Sequence, residues 1–419
     1  MVEIEARADI AEALRLRNPR ERVGPLDVLK GVSPTEHRGA PSAAPPSALQ
    51  AARPARDTWY EIDLQAIRHN YRQLRAQLPA GVKIFACLKR NAYGCGAGHV
   101  AEALAAEGAY GFAVASLPDA IAIRERGVVR PILLYPGPLP GSAPVIEALD
   151  LTITVSSLAE LELWRAALPG LCIFVKCDLG FFRAGATPGE IGGLLASARA
   201  SARVEVQGLY AHLSELPGSP PSDALTQFAR LRRIVRDAEA AGTLPPIVML
   251  SSTEGVLRYP EMDFDAVDPG ALFIGMPETD SPVRQVSLRP ALTAISTSLV
   301  AIKHIDASLE PVPELPGFRS GMTIGVLGMG WGDGYPRRVP PNAEVLVRNR
   351  RAPILPPAHL EHLRVDLTHV PEARFGDRAL LLGRQGGEVI TLEDLAAQWG
   401  TDIVGLHADL RDHIPRVYV

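Results

Sequence analysis

Between residues 83 and 267, short apolar runs recur along the chain, each separated from the next by a segment of different periodicity. The runs are Lys83–Leu88, Gly111–Ala115, Pro131–Tyr135, Leu151–Val155, Leu171–Lys176, Val204–Ala211, Ile247–Leu250 and Asp265–Val267. Their shortness and near-continuous hydrophobicity predict strands buried on both faces, as in a parallel sheet. The intervening segments space their apolar residues three and four apart, which predicts helices at His99–Glu107, Asp119–Arg126 and Asp223–Ala241. Ser116 is placed to cap the second of these. Thr187-Pro188-Gly189-Glu190 offers another helix a cap, a first-turn proline and a glutamate three residues on. Eight strands alternating with helices over about 190 residues predict a (β/α)8 barrel.

Past Ser287 the texture changes. The runs Thr297–Ile302, Thr323–Leu327, Glu344–Val347 and Ala379–Leu382 lie between Gly- and Pro-rich turns. They predict a C-terminal all-β domain, interrupted by one short helix at Leu392–Trp399. At the other end, a short helical pattern at Ile10–Leu16 precedes a linker-like tract from Pro41 to Ser47. The expected division is therefore a partly disordered extension over 1–56, an α/β barrel over 57–285 and an all-β domain over 286–419.

Composition narrows the function classes. The 419 residues exceed what one hydrophobic core ordinarily serves, in keeping with two domains. The net charge, 43 − 47 = −4, comes with no long run of one sign, so neither nucleic acid nor a membrane surface is an expected partner. The 4 cysteines include no Cys-x-x-Cys pair, which argues against a disulfide framework and a structural zinc. The first residues hold no signal-like apolar run, and no stretch approaches a membrane span, so a cytoplasmic protein is expected.

Chemistry in a (β/α)8 barrel gathers at the C-terminal ends of the strands. There this chain places Lys89, then Lys176 with Asp178, then His212, Ser251-Ser252-Thr253 and Asp268-Pro269-Gly270. The last two groups follow the seventh and eighth predicted strands, where barrels commonly hold phosphate. Taken singly, a strand-end lysine is ordinarily a solvated charge, a lone histidine a satisfied one, and Ser252-Thr253 a helix cap. Together on one rim they fit an enzyme that carries a cofactor on a lysine as a Schiff base.

The segment Ala86-Cys-Leu-Lys-Arg-Asn-Ala-Tyr-Gly-Cys-Gly96 resembles the cofactor-lysine motif of the alanine racemase family. Val175-Lys-Cys-Asp-Leu-Gly-Phe-Phe-Arg-Ala-Gly185, Leu257-Arg-Tyr-Pro260, Met329-Gly-Trp-Gly-Asp-Gly-Tyr-Pro-Arg337 and Ile414-Pro-Arg-Val-Tyr418 resemble further family segments, in order. Trp59–Leu64 with His69-Asn70 resembles the family's opening strand and helix. The resemblance implies pyridoxal 5'-phosphate (PLP) as cofactor, an amino acid as substrate, and racemisation through a carbanion at Cα. It implies that Lys89 holds the cofactor and acts as one of two acid–base groups. Tyr93, Thr253, the Gly270 backbone and Trp331 would surround the phosphate, with Ser252 and Ala271 among the cofactor-binding residues. His212 would pack on the pyridine ring, and Arg183 would hold a substrate carboxylate or the cofactor phenolate oxygen. Lys176 falls where the family often carries a carbamylated lysine; the plain alternative is an ion pair with Asp178. A homodimer is implied, with each active site completed by the partner's β-domain.

Three positions depart from the family pattern. Val312 stands where the family's catalytic tyrosine is expected, and no tyrosine lies between Tyr259 and Tyr335. Asp268 replaces the arginine at the pyridine nitrogen, resembling the Glu-Pro-Gly of related barrel-type decarboxylases; a carboxylate there keeps that nitrogen protonated. Asp412 replaces a usual tyrosine. A PLP-dependent racemase or epimerase is thus the expected function, with Lys89, His212 and Asp268 as the expected catalytic residues. A PLP lyase or transferase and a PLP-binding paralogue without turnover are the alternatives.

Overall fold

The computed structural model of the chain describes residues 57–214, 220–309 and 317–419. The expectations for residues 1–56 and for Val312 lie outside the described residues. The described chain forms two compact units, the first comprising 66–92 and 96–289, the second 57–65, 93–95 and 290–419.

Strand β1 (Trp59–Ile62) belongs to the second unit. The first is a closed barrel of eight strands: β2 (Lys83–Cys87), β3 (Gly111–Val114), β4 (Ile132–Leu134), β5 (Leu151–Val155), β6 (Leu171–Lys176), β7 (Val204–Tyr210), β8 (Ile247–Met249) and β9 (Ala266–Val267). Every neighbouring pair is parallel, and β9 closes onto β2. Parallel strands in a barrel have no solvent face, hence the continuous apolar runs. Phe85, Phe174, Tyr210 and Met249 fill the interior. Gly208 is dictated by that packing, because a Cβ there would stand 2.1 Å from the Phe174 ring.

The helices that matter for the site are α1 (Leu64–Gln77), α2 (Ala97–Ala106), α3 (Leu117–Glu125), α4 (Ala143–Ala148), α5 (Leu158–Ala167), α6 (Ile191–Arg199), α7 (Pro221–Ala240) and α8 (Thr253–Arg258). Ser116 caps α3, its side chain accepting from Asp119 N. Thr187–Glu190 does not open a helix. It forms a turn closed by Thr187 N and Oγ1 on the Glu190 carboxylate, and α6 starts after it. Asn70 on α1 is buried and bonds Phe273 O and both backbone groups of Arg289, fastening α1 to the end of the barrel chain.

The second unit is a nine-stranded sheet of β1 with β10 (Leu292–His304), β11 (Thr323–Leu327), β12 (Glu344–Val347), β13 (Arg350–Leu355), β14 (Leu363–Asp366), β15 (Arg378–Gln385), β16 (Glu388–Ile390) and β17 (Arg416–Tyr418). β1 lies between β10 and β17, antiparallel to the first and parallel to the second. This corrects the expected start of the barrel at residue 57. Alternate residues of β1 are buried, the pattern of a strand with one face in a core, whereas the barrel strands are buried on both. A second correction is helical: besides α9 (Leu392–Trp399), the unit holds α10 (Ile403–Ala408), whose Asp402 cap accepts from Gly405 N. Among the described residues no helix is long and apolar enough to cross a membrane.

Candidate active site

Lys89 follows β2, one residue beyond buried Leu88, so the strand delivers it to the barrel's C-terminal rim. The chain then makes a left-handed helical turn whose first four residues are not glycine and which runs on into Gly94. Arg90, Asn91, Ala92 and Tyr93 have φ of 56°, 56°, 53° and 55°. Each such residue costs about 1–2 kcal/mol relative to right-handed backbone. Hydrogen bonds hold the turn: Ala92 N donates to Leu88 O at 3.0 Å and Gly96 N to Asn91 O at 2.8 Å. Asn91 N donates to the buried Asp119 carboxylate at 2.9 Å, and Asn91 Oδ1 accepts from Ala97 N at 2.8 Å. Strain next to Lys89 is thus fixed by a network spanning two barrel helices.

Around the mouth of the barrel, Lys89, Lys176, Arg183, His212 and Asp268 act on one another electrostatically. His212 is pushed down to about 3 by burial and by the cations Arg183, Lys89 and Lys176, so it is neutral at ordinary pH. Its ring stacks on Phe181 at 6.0 Å and 10°, and the Arg183 guanidinium lies 4.1 Å from the Phe181 ring. Burial and the neighbouring Arg183 lower Lys176, whose ammonium sits 5.5 Å from the Tyr210 ring. The Lys176–Asp178 ion pair is not formed. Asp178 Oδ1 instead accepts from the backbone N–H of Gly180, Phe181 and Phe182, shaping the loop that carries Arg183.

Asp268 is buried, and its carboxyl is raised to about 7, mainly by that burial. Tyr135 donates to its Oδ2 at 2.7 Å, and with Lys89 and Lys176 this bond opposes the rise. Oδ1 has no hydrogen-bond partner, the one carboxylate oxygen so placed among the buried side-chain atoms described.

A second polar group follows β8 and β9. Ser252 is half-buried at the N-terminus of α8 and makes no capping bond with its side chain. Buried Thr253 Oγ1 accepts from Gly270 N at 3.1 Å and Leu272 N at 3.3 Å, so its hydroxyl hydrogen is what it can offer outward. The Gly270 amide is thereby turned to Thr253 instead of outward, which alters its expected part; Ala271, beside it, is fully buried. Tyr93 and Trp331 belong to the second unit. There His407 Nδ1 donates to Tyr93 O at 2.8 Å, Trp331 N donates to His359 O at 2.9 Å, and the Arg337 guanidinium lies 5.4 Å from the Trp331 ring. Asp412 there accepts from Arg416 through its backbone oxygen.

Sequence reasoning missed Tyr135, Asp119 and Phe181. Tyr135 ends the third predicted strand run, so the strand-end rule that selected Lys176 would have found it. Asp119 had no such signal, because its partner is a backbone N–H. Among the described residues no group of side chains is arranged to hold a metal.

A lysine, a neutral histidine and a buried carboxylate on the rim of a (β/α)8 barrel define an enzyme of the lysine-centred barrel class. The models of the alanine racemase N-terminal and C-terminal domains match residues 62–277 and 317–418. The chain belongs to the alanine racemase family, and so to a family of isomerases. It is 34% identical over 373 residues to the catabolic alanine racemase of Pseudomonas aeruginosa, covering 87% of this chain and 99% of that one. With the alanine racemase of Symbiobacterium thermophilum it shares 31% over 381 residues, covering 87% and 97%. Among solved structures, the E. faecalis alanine racemase superposes with a TM-score of 0.78 at 28% identity, covering 87% of this chain and 98% of that chain.

Proposed function

We infer that this chain interconverts the enantiomers of a small amino acid with PLP carried on Lys89, as a homodimer in the cytoplasm. The observation that carries the reading is the rim itself: Lys89 on its strained turn shares one field with neutral His212, Arg183 and the buried carboxylate of Asp268. The residues present fit the cofactor. The unpartnered Asp268 Oδ1 is an acceptor suited to a ring N–H, and the cations Lys89, Lys176 and Arg183 suit an anionic group.

When bound, PLP makes the Cα proton of an amino acid acidic by spreading the resulting negative charge. Lys89 would hold it and move a proton at Cα on one face. Neutral His212 would pack on its ring without adding a competing positive charge. Arg183 would hold the substrate carboxylate, its loop pinned by Asp178. Ser252 and the Thr253 hydroxyl would bind the phosphate. Racemisation also requires a proton donor on the opposite face of Cα.

Asp268 also favours a second reading, bond cleavage at Cα by a lyase, since a carboxylate at the ring nitrogen strengthens electron withdrawal. One experiment separates the readings. PLP is added to the purified protein, and D- and L-alanine and, separately, D- and L-threonine are supplied in deuterated water, with chiral chromatography, aldehyde and carbon dioxide monitored. Racemisation predicts a bound-cofactor absorbance band lost in Lys89→Ala, and deuterium appearing in both enantiomers. Aldehyde or carbon dioxide without the second enantiomer would replace it with the lyase. A monomer of undiminished activity by light scattering would overturn the dimer.

A further inference from the structure

Among the buried side-chain atoms described, Asp268 Oδ1 is the one carboxylate oxygen without a hydrogen-bond partner, and what ties the other oxygen is informative. Tyr135 comes from the end of β4, across the barrel from the loop after β9, and donates to Oδ2 at 2.7 Å. The Tyr135 hydroxyl is itself enclosed: its ring packs 6.0 Å from Tyr210, whose own hydroxyl bonds Thr154, and the Cys87 thiol lies against it. Burial and the adjacent Asp268 raise Tyr135 well above the ordinary tyrosine range, so it remains an O–H donor. A carboxylate held through one oxygen cannot rotate about Cβ–Cγ, and the lone pairs of the other oxygen are fixed in direction. The bond also favours the ionised form, which must be present for Oδ1 to accept.

We propose that Tyr135 is a positioning residue: it clamps Asp268 through Oδ2 so that Oδ1 is kept as the acceptor for the protonated ring nitrogen of bound PLP. This rests on the PLP reading above and deepens it. The groups facing the Asp268 carboxyl are Tyr135, Lys89 and Lys176, with Cys87 and Tyr210 behind the tyrosine. Of these only Tyr135 makes a hydrogen bond to it. Removing that hydroxyl leaves a buried carboxyl with two unpartnered oxygens, which takes up a proton and ceases to accept.

The test reads the ring nitrogen directly, by 15N NMR of the holoenzyme loaded with PLP labelled at that nitrogen, at neutral pH. The wild type is expected to show a protonated nitrogen, and Tyr135→Phe and Asp268→Asn are both expected to show the unprotonated signal. Circular dichroism checks that the barrel is retained. A protonated signal in Tyr135→Phe alongside an unprotonated one in Asp268→Asn overturns the clamp and leaves the Asp268 pairing intact. An unprotonated wild type overturns the proposal, whereas the absence of a Lys89-dependent absorbance band overturns the reading beneath it. Should Tyr135→Phe not fold, 3-fluorotyrosine at position 135 keeps the packing and strengthens the donor. Its expected effect is a shifted pH midpoint of nitrogen protonation relative to the wild type, and an unchanged midpoint overturns the proposal.

Discussion

At the scale of single residues, the mouth of the barrel holds two groups whose titration pulls stability in opposite directions. The Asp268 carboxyl is raised from 3.8 to about 7 in the folded protein, so between those values the folded state binds more protons than the unfolded chain. Its contribution is fully present below pH 3.8 and is lost as pH rises through about 7. For His212, lowered from 6.5 to about 3, the contribution is present above 6.5 and is lost as pH falls toward 3. In the cofactor-free protein, Asp268→Asn is therefore expected to recover on the order of 4 kcal/mol at neutral pH relative to acid. His212→Gln is expected to flatten the loss on the acid side instead. Urea midpoints across pH 3.5 to 8 measure both (a range set by these shifts), and parallel profiles for the two variants would refute the assignment of opposite signs.

Among the elements, the turn after β2 is the most demanding. Four successive non-glycine residues in left-handed backbone persist because neighbouring groups over-determine them, chief among them Asp119 accepting from Asn91 N. Asp119→Ala leaves that N–H without its acceptor and is expected to cost about 1–3 kcal/mol. Amide exchange at Asn91 should accelerate accordingly, and PLP affinity should weaken because Lys89 begins the turn. Unchanged exchange there would mean that the turn is held by something else. This element was illegible beforehand, for its four leading left-handed residues are not glycine and its support is a carboxylate 28 positions away. The barrel strands were legible because both faces are buried, leaving runs such as Gly111–Val114 without a polar position. In the sheet unit the same test failed for β13, whose Arg350-Arg351 start is solvent-exposed, and for β17, where no residue is fully buried. Lys89, His212 and Asp268 could be picked out as strand-end residues. Their mutual fields, and the Tyr135 bond, depend on side chains brought together from distant strands.

Over the whole molecule, the order of segments is nested. The chain lays down β1, builds all eight barrel strands, and only then supplies β10 and β17, between which β1 lies. β1 is thus an interior strand of the sheet whose partners arrive more than 200 residues later, a non-local pairing of the kind that forms slowly. An interior strand cannot accept proline, which lacks the ladder donor and opposes pairing. Glu61 stands opposite Ala294 on one side and Val417 on the other, so Glu61→Pro is expected to disrupt both ladders. Amides of β10 and β17 should exchange at least ten-fold faster, equivalent to about 1.4 kcal/mol of local stability, while those of β2 to β9 keep their rates. That contrast separates the two memberships open to β1. Had it been the first strand of the barrel unit, as its position in the chain suggests, the faster exchange would fall on β2 and its barrel neighbours, and β17 would be untouched.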